Sequence, residues 1–106
     1  LLIEAFHYRH HRVMHEAAAL VRSGALGRIT HADGVFEVAI ARTDTELRWR
    51  RSLGGGGLMD LGTYPLHALR ALLGAEPHVA AARARFEGGV DAALEAELDF
   101  AGAPAR

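Results

Sequence analysis

Four consecutive glycines at residues 54–57 open directly into an apolar run carrying Asp60, Tyr64 and His67, and this junction restricts the fold more than any other stretch. Glycine brings no side chain to a core and loses more conformational entropy on folding than any other residue, so such a tract points to a close approach of backbones. A plain flexible connector is the alternative reading. Downstream, the spacing predicts a helix over about 58–73, with Leu61, Leu66, Leu69, Leu72 and Leu73 on its buried side and Gly74 as its cap. Pro65 falls inside that helix and removes one of its hydrogen bonds, which predicts an irregular first turn or a break near Thr63 and Tyr64. On a helix the spacing of Asp60 and Tyr64 sets a carboxylate and a phenol on one face, and His67 extends that face.

The other segments follow from periodicity and turn residues. Residues 1–9 alternate with both faces largely apolar and read as a buried strand, Glu4 included. Over 12–23, Val13, Ala17, Leu20 and Val21 recur at helical spacing, and Ser23 and Gly24 supply the stop. Residues 28–41 are rich in β-branched and aromatic side chains and read as one or two strands, with Gly34 marking a bulge or bend. Residues 41–53 are charged and lack clean periodicity, so they form a loop that sets Trp49 among Arg48, Arg50 and Arg51. Residues 79–86 and 90–100 alternate as two antiparallel strands joined around Gly88 and Gly89. This order favours an α+β fold: an open, mainly antiparallel sheet with helices packed on one face.

Composition narrows the function classes. At 106 residues the chain fits one domain. Twelve basic against 13 acidic side chains leave a net charge of −1, which argues against nucleic acid as a partner. Cysteine is absent, so disulfides and thiol chemistry are excluded, and a cytoplasmic address is expected. No apolar run approaches the roughly 20 residues of a membrane span, so no membrane partner is expected. The start at Leu1, without an initiator Met, is expected to reflect a piece of a longer chain.

Several chemistries compete for the remaining residues. A phosphate-cradling loop needs Lys-Ser or Lys-Thr after its last glycine, and Leu58-Met59 stands there instead. A dinucleotide fingerprint needs a preceding strand, and an Arg-rich loop precedes this tract. A tyrosine transfers protons best beside a cation, usually a lysine, yet every basic residue apart from the histidines is arginine. Tyr64 either takes such a cation from outside this sequence or packs with its hydroxyl bonded to the backbone. Asp60 either orients a catalytic group or caps the helix entrance. His11 and His15, four apart, have zinc-compatible spacing, but no third ligand is fixed and HExxH is absent; solvated histidines are favoured and no metal is expected. Trp49 with its arginines either stacks a planar ring or anchors a charged loop.

Read together, the motifs resemble the carboxyl-terminal, substrate-binding domain of the Gfo/Idh/MocA oxidoreductases, the glucose-fructose oxidoreductase, inositol dehydrogenase and dihydrodiol dehydrogenase group. Glu4-Ala5-Phe6-His7-Tyr8-Arg9-His10-His11 is similar to the family's Glu-Ala-Phe-x-x-Arg segment, with Arg12 where the family has proline. Leu26-Gly27-Arg28-Ile29 resembles its Leu-Gly-x-Ile phrase. The glycine tract through His67 is similar to its Gly-Gly-Gly-x-Leu-x-Asp-x-Gly-x-Tyr/His-x-x-His/Asp motif, and residues 72–77 continue the pattern.

The resemblance implies that residues 1–106 are part of a C-terminal substrate-binding and dimerisation domain. The family's N-terminal Rossmann domain, with its NAD or NADP site and Glu-Lys-Pro lysine, is absent from this sequence. It further implies Asp60 and Tyr64 as catalytic residues, Arg9 and His67 at the substrate, and Trp49 and Arg50 toward the cofactor. The loop from Arg50 to Gly54 is short against the family pattern. The implied activity is NAD(P)-dependent hydride transfer to or from a sugar, polyol or diol-like substrate, in a homo-oligomer formed through the sheet. The fragment alone is expected to be inactive. A non-catalytic binding or assembly module of the same fold is the alternative.

Overall fold

The structure, a computed structural model, describes residues 1–3, 5–101 and 103–106. Glu4, expected in the first strand and in the Glu-Ala-Phe segment, lies outside the described residues. The expected strand over 1–9 is not formed: the described residues there end in a 3₁₀ turn, His7–His10. Leu1, Leu2 and Ile3 stay exposed, so the apolar alternation finds no neighbouring strand to pair with.

Helix α1 spans Arg12–Arg22 and stops at Ser23, where Gly24 takes the left-handed conformation expected of it. Its covered side differs from the expected one. Met14, Ala17, Ala18 and Val21 are half-buried, whereas Val13 and Leu20 remain 65% and 49% exposed. The helix rests on a second helix rather than on the sheet, so only one narrow stripe is covered.

That second helix begins as a π turn, Leu58–Gly62, and continues as α2, Thr63–Leu73, ending at Gly74 in the left-handed region. The irregular start expected from Pro65 takes this form. Proline offers no N–H to the carbonyl four residues back and its ring presses on that turn, and the wider π turn lies immediately before it. Thr63 N–H reaches the Leu58 carbonyl across the wide turn.

β1 (His78–Glu87) and β2 (Val90–Phe100) form the expected antiparallel hairpin, with Gly88 and Gly89 both at positive φ, as a tight two-residue turn requires. A short β3 (Ala103–Ala105) adds to β2, giving an open antiparallel sheet in the order β1-β2-β3. Residues 28–41 form no named strand, contrary to expectation. They pair only locally: Ala32 N–H donates to the Pro104 carbonyl at 3.1 Å and Gly34 N–H to the Arg106 carbonyl at 2.7 Å, a parallel bridge along β3. The strand-forming side chains beyond it have no ladder, and Val35, Val38 and Phe36 stay exposed. Gly34 is a point of close approach, since a Cβ there would lie 3.0 Å from Pro65 and 3.2 Å from Leu69.

The core lies where α2 crosses β2 and β3. Leu69 meets Leu98, Phe100 and Ala105, with Leu66, Leu73 and Ala96 around them. Burying each large apolar side chain contributes about 1.5–3 kcal/mol, so this contact fixes α2, and with it the site, on the sheet. No helix among the described residues is long and apolar enough to cross a membrane.

Candidate functional site

The glycine tract is a tightly packed turn rather than a flexible connector. A 3₁₀ turn, Leu47–Trp49, passes directly over it: a Cβ on Gly55 would lie 2.5 Å from the Arg48 carbonyl oxygen and 2.7 Å from that of Leu47. Gly56, at φ +138°, lies against Asp91, where an added Cβ would meet Oδ1 at 2.1 Å. Asp91 Oδ2 in turn accepts from Leu58 N–H at 2.6 Å. The side chain that caps the entrance of the π turn at Leu58 therefore comes from the start of β2, a role for which Asp91 gives no signal in the sequence beyond following a turn.

Asp60 sits in the π turn and accepts from Arg48 Nε at 2.7 Å. Arg48 also binds Glu46 at 3.0 Å, and its hydrogen bonds hold the Glu46 carboxyl below the usual carboxylate range. Asp60 and Trp49 share a small hollow of about 70 Å³ with Asp91 and Ile40. Trp49 is covered by Arg42, whose guanidinium carbon lies 4.2 Å from the ring centroid, rather than by its neighbours in sequence. Its indole N–H is buried with no acceptor among the described residues. Arg50 is exposed beside it.

Tyr64 belongs to a different environment. Its ring meets Phe6 and Phe36 edge-on, each at 5.6 Å between centroids. Tyr8 Oη donates to the Tyr64 backbone carbonyl at 3.1 Å and lies 2.6 Å from His67 Nδ1, while Phe6 stacks on His67 at 4.1 Å and 7°. A carbonyl only accepts and Tyr8 has one proton. Both contacts therefore hold together when His67 carries its ring proton on Nδ1 and donates it to Tyr8, which leaves Nε2 as an acceptor. Burial first, then the charges of Arg9 and Arg70, holds His67 below the ordinary histidine range. Burial, with Tyr64 adding to it and Arg9 opposing, pushes the Tyr8 phenol up. The Tyr64 hydroxyl makes no hydrogen bond among the described residues.

Arg9 and His67 line one larger hollow, of about 710 Å³, along α1 and α2. Of the residues expected at the site, the structure thus joins Arg9 with His67 and Asp60 with Trp49. Tyr64 shares Phe6 and Tyr8 with His67. Asp60 has Arg48 for its partner, and Arg50 lines neither hollow. Tyr8, Phe6, Phe36, Arg42 and Asp91 complete the surroundings and were not among the expected site residues. Of the two histidines with zinc spacing, His11 caps α1 by accepting from Val13 N–H at 3.4 Å, and His15 Nε2 lies 3.0 Å from the Arg9 carbonyl.

The chain is an α+β domain with a carboxylate and a tyrosine near the entrance of one helix, over an open antiparallel sheet. A family model described as the GFO/IDH/MocA C-terminal domain matches residues 14–106, and the chain belongs to the Gfo/Idh/MocA oxidoreductases. It is 36% identical over 98 residues to a dTDP-3,4-didehydro-2,6-dideoxy-alpha-D-glucose 3-reductase of Saccharopolyspora spinosa, covering 86% of this chain and 28% of that protein. It is 35% identical over 107 residues to D-xylose 1-dehydrogenase (NADP(+)) 2 of Haloferax volcanii, covering 99% of this chain and 33% of that one. An aldose-aldose oxidoreductase from Caulobacter crescentus, solved with glycerol, superposes with a TM-score of 0.76 at 32% identity, over 94% of this chain and 32% of that chain. The chain thus spans about a third or less of the length of these relatives.

Proposed function

We propose that residues 1–106 are part of the C-terminal, substrate-side domain of an NAD(P)-dependent oxidoreductase that moves a hydride to or from a sugar, polyol or diol-like substrate. The observation that carries this reading is the cluster around Tyr64: a phenol with no hydrogen bond among the described residues, its carbonyl held by Tyr8, next to a histidine held below the ordinary histidine range. The relatives named above act on sugars, which supports the same substrate class.

In this reading Tyr64 exchanges a proton with the substrate oxygen as the adjacent carbon gains or loses a hydride. The phenolate needs a neighbouring cation, and since the sequence has no lysine, that cation comes from a Rossmann domain elsewhere in the polypeptide. His67 Nε2 accepts from a substrate hydroxyl and Arg9 donates to another oxygen. Asp60 holds Arg48, and through it the turn that carries Trp49. When bound, the nicotinamide supplies or accepts the hydride. The residues present fit the edge of such a cofactor: the buried indole N–H of Trp49 lacks an acceptor among the described residues, and the exposed Arg50 suits a phosphate. The isolated chain is inactive, and the whole enzyme is cytoplasmic and oligomeric through the sheet.

The test is a panel of sugars, polyols and diols with the full polypeptide and NAD or NADP, followed at the nicotinamide absorbance. Turnover of at least one neutral sugar or polyol is expected. Failure of the full polypeptide to bind either cofactor contradicts the reading and favours the second one, a binding module of the same fold. That second reading has one observation behind it: the Asp60 carboxylate is already engaged by Arg48.

A further inference from the structure

The larger hollow carries more positive charge than the proposed reaction uses, since of its lining residues only Arg9 and His67 have a role there. Arg9, Arg22 and Arg70 line it together with His10, His15 and His67, and Glu76 is its one acidic lining residue. Glu76 is itself held by Arg70 at 2.5 Å. Elsewhere in the chain, Arg12, Arg42, Arg48, Arg83, Arg85 and Arg106 have carboxylate partners, in keeping with a net charge of −1. Among the described residues Arg9 and Arg22 have none, and neither do Arg28, Arg50 and Arg51, which lie outside this hollow. Unpaired arginines on a convex face are ordinarily just solvated, but Arg9 and Arg22 both line one concavity of about 710 Å³.

The positive field reaches the proposed catalytic region, since the charges of Arg9 and Arg70 help keep His67 unprotonated. His67 connects through Tyr8 to the Tyr64 carbonyl. A ligand seated in the hollow and touching His67 would therefore lie against the turn that carries Tyr64. Guanidinium groups bind phosphoryl and carboxylate oxygens in pairs, with fixed planar geometry. We propose that this hollow receives the anionic group of a sugar substrate, a phosphoryl or carboxylate oxygen set, with Arg22 as its ligand. The proposal rests on the reading that Tyr64 acts at the substrate oxygen. It narrows the substrate from neutral sugars to charged ones.

The test compares glucose, glucose 6-phosphate and glucuronate as substrates of the full polypeptide, as wild type, Arg22→Gln and Arg22→Lys. The phosphate and the carboxylate arms separate the two sources of charge. A KM for at least one charged sugar lower than that for glucose by about tenfold or more is expected. That advantage should disappear in Arg22→Gln and persist in Arg22→Lys. Glucose turned over with no advantage for either charged sugar, or an advantage that survives Arg22→Gln, overturns the proposal and leaves the oxidoreductase reading intact. If no sugar is turned over, the oxidoreductase reading fails, and calorimetric titration with the same compounds decides the binding question. Binding of a charged sugar that needs Arg22 supports the anion site, and its absence overturns it.

Discussion

Tyr8 ties the first segment to helix α2 through one hydroxyl, which touches both the Tyr64 carbonyl and His67. His67 is consequently a desolvated ring beside two arginines, and its neutral form is favoured in the folded state. The consequence for stability has a definite sign. As pH falls through the ordinary histidine value of about 6.5, the unfolded chain takes up the proton first, so stability is lost until the lower folded value is passed. Comparing wild type with His67→Gln across that window isolates the effect: wild type should lose stability relative to the variant as pH falls. Nitrogen-15 shifts of the ring should report Nδ1–H in wild type, and in Tyr8→Phe that preference should disappear. At this scale the sequence was informative about identity and poor about partners. Asp60, Tyr64 and His67 stood out from their motif, yet the π turn and the fold send Asp60 to Arg48 and the other two to Phe6 and Tyr8. Tyr8 and His67 are 59 residues apart, a contact no local pattern encodes.

The glycine tract gains its meaning from two elements that sequence reading kept separate, the 3₁₀ turn above it and the start of β2 beside it. Gly55→Ala drives a methyl group into the backbone of Leu47 and Arg48, where no side chain can yield. It should cost about 1–3 kcal/mol, measured by chemical denaturation. Asp91→Ala removes the cap on Leu58 N–H and should cost about 1 kcal/mol, and Asp91→Asn less, because an amide oxygen still accepts. Helix α2 and the hairpin were legible because their signals are local: leucine spacing ended by Gly74, and alternation around Gly88 and Gly89. The strands expected over 1–9 and 28–41 failed for one shared reason. β-Propensity needs a partner strand, and only Ala32 and Gly34 reach one, through Pro104 and Arg106.

The 106-residue chain is less compact than an independent domain of its length. Its radius of gyration is 15.7 Å, against about 13 Å for a compact domain of 100 residues. Helix α2 covers β2 and β3 but leaves β1 bare: Val79 is 56% and Phe86 68% exposed. The opposite side of the hairpin is charged, with Arg83 and Arg85 facing Glu95 and Ala93 across the strands. A subunit contact through that side would be polar and salt-sensitive, and sedimentation of the full polypeptide at low and high salt should reveal dissociation as salt rises. The isolated chain, with few buried side chains, should unfold at low denaturant and show no turnover with either nicotinamide cofactor. The role of Tyr64 is tested by hydride transfer in the full polypeptide, wild type against Tyr64→Phe, with cofactor binding followed in parallel. The account predicts a loss of about 10²–10⁴-fold in kcat with cofactor affinity unchanged. Equal turnover in the two proteins would contradict it.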